Sequence, residues 1–196
     1  MNTKNLTLFV ILGIIVLIGG CAGCGYNSIV KQDVVVEKTF ADLQADYQRR
    51  ADLIPNLVST VKGEANFEST TLENVIKARA SATQVKIDPA NLTPEKLQEF
   101  QQAQGQVSQA LGRLLVVSEQ YPNLRANDAF RNLQTQLEGT ENRIKNSRRD
   151  FNAAIADYNL KVRKFPMNIF AGLFGFKVKP PFEAEVGSDK APEVKF

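Results

Sequence analysis

The chain has 196 residues, 43% of them hydrophobic, so it is long enough for one domain with a substantial core. Its 24 basic and 21 acidic residues give a net charge of +3. This balance, without any Lys/Arg block of five or more, argues against nucleic-acid binding. Histidine is absent, which removes the commonest general base and the commonest metal ligand. We therefore expect no catalytic residues, no metal and no cofactor.

The chain begins with an apolar segment that predicts attachment to a membrane. Lys4 precedes the run Leu6 to Gly20, which has 15 residues. That length is short for a membrane span, which needs about 20 residues, and it suits the core of a signal peptide. Counted through Tyr26 the run has 21 residues, enough to cross a bilayer. In either case the positive start predicts a cytoplasmic N-terminus and a periplasmic or otherwise extracytoplasmic C-terminal domain.

Both cysteines of the chain, Cys21 and Cys24, lie at the end of this apolar run. A redox or zinc site is disfavoured, because no βαβ pattern surrounds the pair and no further Cys or His ligand exists in the chain. Cys21 follows "LIGG", which resembles a bacterial lipobox, so it is the candidate for lipidation and Cys24 is the weaker one. A spanning helix and an acylated lipoprotein both remain open as forms of the anchor.

Four segments carry apolar residues at a period of seven, which is typical of helices in a coiled-coil-like bundle. They span residues 26–61, 67–82, 94–121 and 128–164. In the first segment only Asp33 and Arg50 interrupt the apolar stripe. Thr93 and Pro94 predict an N-cap and the first helical residue of the third segment, and Pro166 is expected to end the fourth.

This pattern predicts an all-α fold, an antiparallel, coiled-coil-like bundle of long helices preceded by an N-terminal membrane anchor. No alternating run of strand length stands out, and the connections are short enough to join antiparallel neighbours. We expect the anchor over residues 1–25, the bundle domain over 26–182 and a flexible tail over 183–196. The Pro-rich, charged composition predicts a loose chain from Lys177 onward.

The stretch "QRRADLIPNL" is not explained by packing, and it is a candidate interaction site. Pro55 should bend or break the first helix near Asp52, because it removes one backbone hydrogen bond. Asn56 can either satisfy the carbonyl that this frees or cap the helix where it starts again. With Arg49 and Arg50 beside it, the kink forms either a partner-docking notch or a purely structural bend. If the two arginines are structural instead, we expect them to pair with acids such as Glu138 or Glu141.

The stretch "MNIFAGLFGF" after Pro166 is a second candidate interaction site. It carries three aromatic residues, Phe170, Phe174 and Phe176, in a short apolar cluster. Three roles are compatible with it: a cap that folds back on the bundle, a contact with the membrane surface, and a contact with a protein partner.

Several blocks of the sequence together resemble the LemA family. They are "GYNSIV", "RRADLIPNLVSTVKGEA", "TLENVIKARASA", "YPNLRANDAFRNLQTQLEGTENRI", "RRDFNAAIADYN" and "FPMNIFAGLFGF". The resemblance covers Tyr26 to about Phe182, in order, and implies a bacterial membrane-anchored protein with an α-helical bundle and no established enzymatic activity. Members commonly show an uninterrupted span, whereas this chain has "GGCAGCG" at that place, which keeps lipidation open.

Together these features predict a non-enzymatic, membrane-anchored interaction or scaffold protein displayed outside the cytoplasm. One alternative is a membrane-remodelling or envelope-stress component that acts through the anchor and the Phe-rich segment. A hydrolase or transferase is a weaker alternative, because the chain has no histidine and no Gly-rich phosphate loop. The expected partners are the membrane and an envelope protein, without nucleic acid, and homo-oligomers are left open.

Overall fold

The computed structural model describes residues 3–63 and 67–183, with the side chains of residues 3–11, 13–22 and 90 outside the description. The described chain is helical, without strands. Six α-helices follow one another: α1 Thr3–Lys62, α2 Ser69–Gln84, α3 Pro94–Ser118, α4 Pro122–Ala126, α5 Asp128–Arg163 and α6 Met167–Leu173. A 3₁₀ turn, Pro89–Asn91, joins α2 to α3. The predicted all-α bundle is confirmed.

The long helices α1 and α5 form an antiparallel pair at the centre of the fold. Successive contacts show the direction: Lys161 Nζ donates to Ser28 O at 3.3 Å and Ser147 Oγ to Asp46 Oδ2 at 2.6 Å. Farther along, Arg50 of α1 binds Glu141 of α5. The helices α2 and α3 form the second pair, and they pack mainly against each other.

The core has two parts that meet near the middle of α1. The aromatic cluster lies toward the N-terminal end of the bundle and has Phe40, Phe100, Phe151 and Phe182 at its centre, with ring centroids of Phe40 and Phe151 5.4 Å apart. The aliphatic cluster lies toward the α1–α2 turn. It is built mainly from leucine, isoleucine, valine and alanine side chains of α1, α2, α3 and α5. The heptad stripe predicted from the sequence supplies most of both clusters.

Two helix starts follow from local capping chemistry. Thr93 Oγ1 accepts from the backbone N–H of Lys96 at 3.4 Å, and Pro94 occupies the first helical position, as the sequence predicts. Asn127 caps α5 by accepting from the backbone N–H groups of Ala129 at 2.9 Å and Phe130 at 3.3 Å. Since a capped start satisfies backbone donors that the helix cannot, these two residues help to fix where α3 and α5 begin.

The N-terminal segment continues into the bundle as one helix. α1 has 60 residues, a length of about 90 Å at 1.5 Å per residue, and includes the apolar run. Among the residues whose side chains the structure describes, which leave out most of the apolar run, no helix has both the length and the apolar composition that crossing a membrane requires. Cys24 is an exposed free thiol, whereas the side chain of Cys21 lies outside the described residues.

The segment that follows α6 is held on α5, so the expectation of a loose chain from Lys177 is wrong as far as Glu183. Asn159 accepts from the backbone N–H of Lys179 at 2.9 Å and donates to its carbonyl at 2.8 Å. Asn152, seven residues earlier on α5, makes the same reciprocal pair with Phe182 at 2.8 and 3.1 Å. These amides replace the backbone partners that an extended chain lacks. Residues 184–196, most of the predicted tail, lie outside the described residues.

Candidate functional site

Arg50 lies inside the bundle, at the junction of the aromatic and aliphatic clusters. Only 1% of the residue is exposed. Its guanidinium donates to Glu141 Oε2 at 2.9 Å, to Ser108 Oγ at 2.7 Å, and to Gln104 at both Oε1 (2.7 Å) and the backbone carbonyl (3.1 Å). The group also lies over the ring of Tyr47, 5.2 Å from its centroid. This one charge therefore joins α1, α3 and α5.

The structure thus places Arg50 out of reach of a docking partner and gives it the structural pairing with Glu141. Burying a guanidinium without partners costs several kcal/mol, and the four hydrogen bonds offset that cost. Arg49, its neighbour, is exposed, as are Asp52 and Asn56. Asp52 accepts from Gln48 Nε2 at 2.8 Å along the same helix. The structure does not bring these three residues together with Arg50.

Pro55 does not break α1, so of the expected bend or break near Asp52 the break is wrong. A proline inside a helix leaves the carbonyl four residues earlier without its donor, and here that carbonyl belongs to Ala51. Arg79 of α2 supplies the missing donor, because its Nε donates to Ala51 O at 2.8 Å. The side chain of Asn56, expected to fill this role, is exposed. Pro55 therefore creates a docking point for α2 within the fold.

A cleft of about 520 Å³ opens beside this contact, between α1, α2 and α3. We call it the α2 cleft. Arg50 and Gln104 lie at its buried side, and Arg79, Lys86, Gln44 and Gln48 are among its more exposed lining residues. Apolar side chains complete the wall: Ile54, Ala82, Val85, Ile87, Phe100 and Val107.

The charge of the α2 cleft is positive. Among the described residues that line it, three are cationic and none is Asp or Glu. Glu141 neutralises Arg50 from the bundle side, so the charge available to a ligand comes from Arg79 and Lys86. Arg79 is half-buried and uses Nε for Ala51, so its two terminal nitrogens remain as donors beside the cleft. Such a site favours a ligand with carboxylate groups.

The Phe-rich segment folds back on the bundle beside the N-terminal part of α1. Phe174 and Phe176 contact the ring of Tyr26, with centroids 5.1 and 5.5 Å away. Phe176 also packs against the aromatic cluster, and Phe170 is half-buried. Of the three roles that the sequence left open, the cap on the bundle is therefore present. Phe174 nevertheless remains 45% exposed, so the segment also presents an apolar surface.

The second charge in the stripe of α1, Asp33, holds the chain that follows α6. Lys179 Nζ donates to Asp33 Oδ1 and lies over the ring of Tyr158, 5.2 Å from its centroid. Burial, and to a smaller extent the carboxylate of Asp33, raises the pKa of Tyr158 from 10.0 to about 12. Tyr158 is therefore a neutral phenol at physiological pH. The pair attaches the segment after α6 to α1.

Some residues of the cleft could not be identified as site residues from sequence patterns. Arg79 and Lys86 lie on polar positions of α2 and its C-terminal connection, where a solvated charge is the ordinary expectation. One signal was available: Pro55 frees the carbonyl of Ala51, so a donor had to come from elsewhere. That this donor is Arg79, on another helix and 28 positions away in the chain, depends on tertiary packing.

These features define a helical-bundle protein with a long N-terminal helix, a cationic cleft, and an apolar surface close to the N-terminal segment. The chain belongs to the LemA family, whose family model matches residues 39–196. The resemblance found in the sequence is thereby confirmed.

Three relatives show the range of similarity. Magnetosome protein MamQ 2 of Paramagnetospirillum magneticum is 28% identical over 181 residues, covering 84% of this chain and 66% of that protein. Magnetosome protein MamQ of Magnetospirillum gryphiswaldense is 27% identical, with the same coverage. Protein LemA of Metamycoplasma hominis is 23% identical over 145 residues, covering 74% of this chain and 63% of that protein. The chain thus spans slightly less than two thirds of the length of these relatives.

Proposed function

We propose that the chain is a non-enzymatic, membrane-tethered interaction protein, displayed outside the cytoplasm, that binds acidic segments of an envelope protein in the α2 cleft. The single observation that carries this proposal is the cleft itself. It is a concavity of about 520 Å³ with Arg79 and Lys86 beside it. The polar groups at its buried side, Arg50 and Gln104, are already hydrogen-bonded to each other. Its volume falls within the range of about 300–1,000 Å³ that is typical of ligand pockets.

The tether is supported by the sequence of the N-terminal segment. Lys4 precedes the apolar run from Leu6, and this order favours an N-terminus in the cytoplasm. The attachment takes the form of a spanning helix or of acylation at Cys21, with Cys24 as the weaker site. Because α1 continues from this segment into the core, the tether and the bundle share one helix. The distance between the membrane and the cleft is then set by a rigid element.

The cationic and apolar groups of the cleft determine what kind of ligand it can bind. A carboxylate can accept from the terminal nitrogens of Arg79 and from Lys86, and a charge-assisted hydrogen bond contributes about 1.5–3 kcal/mol when partly buried. The apolar wall around Ile54 and Phe100 accommodates the aliphatic part of the same segment. Exposed lysines alone would contribute about 1 kcal/mol or less, so Arg79 is expected to supply the larger share.

Binding of defined peptides to the full-length chain in detergent micelles tests the cleft. The probes are a labelled peptide of alternating Glu and Gly and the same peptide with Gln in place of Glu, followed by fluorescence anisotropy. Arg79→Gln with Lys86→Gln should weaken binding of the Glu peptide about tenfold or more, a loss of about 1.4 kcal/mol. The matched control, Arg113→Gln with Lys96→Gln, removes the same charge from exposed positions of α3. Equal weakening by both variants would show that net charge alone attracts the peptide.

Protease added to spheroplasts tests the orientation. The bundle domain should be digested, and complete protection would contradict display outside the cytoplasm. Labelling with a lipid precursor then compares the wild type with Cys21→Ser. Incorporation that the variant loses identifies a lipoprotein, whereas a wild type without incorporation that still sediments with membranes identifies a spanning anchor.

A further inference from the structure

The surface around α6 carries large apolar side chains that the bundle does not cover. Phe165 is 76% exposed, Ile169 63%, Leu173 79% and Phe174 45%, and Val178 just beyond the helix is 48% exposed. We call these five residues the α6 surface. The opposite side of the helix is packed, since Ala171 is buried and Met167 is half-buried against the aromatic cluster. The exposed residues are therefore held in place by an ordered support.

This surface lies where the N-terminal apolar segment meets the bundle. Met167 packs so closely on Gly25 that a Cβ at this glycine would overlap its sulfur. Tyr26, the next residue, contacts Phe174 and Phe176. The apolar run of the sequence ends at Gly20, or at Tyr26 in its longer count. The α6 surface thus lies beside the last turn of the segment proposed as the tether.

The charged residues of the sequence stretch around α6 are all basic. Between Tyr158 and Phe182 the sequence has five basic residues and no Asp or Glu. Lys161 donates to Ser28 O and Lys179 is paired with Asp33 of α1, so these two are used within the fold. Arg163, Lys164 and Lys177 are exposed. The nearest acid before this stretch on α5 is Asp157, which is exposed, one residue from buried Tyr158.

We propose that the α6 surface binds an anionic lipid bilayer next to the tether, with its apolar residues in the interface and Arg163, Lys164 and Lys177 at the lipid phosphates. Exposed apolar residues bordered by basic ones are the composition of segments that lie in the plane of a membrane. Basic residues near an anionic membrane surface are attracted to it and strengthen the contact. A tether that ends at about residue 25 keeps the surface at high local concentration beside the bilayer, so a weak intrinsic affinity suffices.

This inference rests on the proposed tether, and it adds a second membrane contact that orients the domain. With α6 on the lipid, the bundle cannot rotate freely about the tether. Along α1 the lining of the α2 cleft begins at Gln44, about 27 Å from Tyr26 at 1.5 Å per residue, so the cleft stays accessible. A second copy of the chain fits the α6 surface less well, because its basic rim would repel its own equivalent.

Lipid quenching of a fluorophore on the full-length chain tests the contact. A fluorescent non-canonical amino acid is placed at position 169 of the otherwise unchanged chain, so that Cys21 and Cys24 are kept, and a control probe is placed at position 116, where Val116 is an exposed residue of α3. The protein is reconstituted into vesicles of phosphatidylcholine with phosphatidylglycerol, or of phosphatidylcholine alone, each containing a shallow brominated lipid. We expect strong quenching at position 169 in anionic vesicles, less in neutral ones, and little at position 116.

A triple variant, Arg163→Gln with Lys164→Gln and Lys177→Gln, should lower quenching at position 169 to the level of neutral vesicles. Equal quenching at positions 169 and 116 would overturn the proposal. So would quenching at position 169 that is the same in anionic and neutral vesicles and is unchanged in the triple variant. Shielding of the probe that rises with protein concentration in detergent would assign the surface to a second copy instead.

Vesicle flotation is scored separately: a chain that does not float with vesicles refutes the tether, whereas one that floats unquenched refutes only the α6 contact.

Discussion

The two charged residues that interrupt the apolar stripe of α1 belong to regions that are built differently. Arg50, in the middle of the bundle, is almost fully buried and is bound by side chains and backbone of α3 and α5. Asp33, near the N-terminal end, has 26% of its side chain exposed and is bound by Lys179, from the extended segment after α6.

The difference shows what each charge stabilises. Arg50 joins helices of the bundle to one another, so its loss should affect the whole fold. Asp33 attaches a peripheral segment, so its loss should affect α6 and residues 177–183 first. The α2 cleft adjoins the first region and the α6 surface adjoins the second. Stability measurements should therefore separate the two regions before any ligand is known.

The largest effect is expected for Arg50→Met. Removing a buried charge leaves Gln104 and Glu141 without their partner, and breaking such pairs typically costs 3–5 kcal/mol. Because Glu141 is half exposed, we expect a loss of about 3 kcal/mol in the free energy of unfolding, measured in urea. Arg49→Met is the matched control and should change it by less than about 0.5 kcal/mol. Similar values for the two variants would mean that Arg50 is not the link between the helices.

A smaller and more local effect is expected for Lys179→Met. The variant leaves Asp33 without its cation, at a cost of about 1–3 kcal/mol. Amide hydrogen exchange should accelerate in residues 177–183 and in α6, while the centre of α5 stays protected. Lys177→Met, at an exposed neighbouring position, serves as the control. Uniform acceleration over the whole bundle would contradict a peripheral role for this pair.

Alkaline pH should weaken the same region through Tyr158. Its pKa is about 12 in the folded chain and 10.0 in the unfolded one, so the unfolded state loses the phenol proton first. The contribution of protonated Tyr158 to the free energy of unfolding is fully present below pH 10 and is lost as the pH rises toward 12. At pH 11 the expected loss is about 1.4 kcal/mol, one pH unit of proton linkage. Tyr158→Phe should lack this loss, so the stability difference between variant and wild type should change between pH 9 and 12. A constant difference would refute the linkage.

Pro55→Ala should have the smallest effect. An alanine restores the N–H that can donate to Ala51 O, but Arg79 already occupies that acceptor. The gained helix bond therefore competes with the contact that holds α2, and we expect a net change within about 1 kcal/mol. Hydrogen exchange in α2 should rise although overall stability is nearly unchanged. Asn56→Ala is the control. A stabilisation of about 3 kcal/mol would instead indicate an ordinary unsatisfied kink.

The sequence predicts the helices well because each is encoded locally. The stripe through Phe130, Leu137, Ile144, Phe151 and Tyr158 is buried throughout, and the Thr93 cap is present. The next residue at that spacing, Phe165, is 76% exposed because α5 has already ended at Arg163. Periodicity thus predicts the face of a helix and becomes unreliable at its end.

The sites were less predictable because they depend on residues far apart in the chain. Arg50 interrupts the apolar stripe of α1, which indicates that its buried charge needs polar partners. The sequence pattern does not identify these partners, because Gln104 and Glu141 lie 54 and 91 positions away in the chain. The rule that proline breaks a helix failed at Pro55 because Arg79 satisfies the freed carbonyl. The α2 cleft depends on how α2 lies against α1 and α3, which no repeat in the sequence describes.

The central claim is that the two regions meet different partners: an acidic polypeptide at the α2 cleft and lipid at the α6 surface. The most direct test places a photo-crosslinking benzophenone at Thr83, an exposed residue of the cleft lining, or at Ile169, in the full-length chain within native membranes. Val116 carries the control. Protein adducts within acidic segments at position 83, lipid adducts at position 169 and neither at position 116 are predicted. Lipid adducts at position 83, or the same adducts at all three positions, would contradict the account.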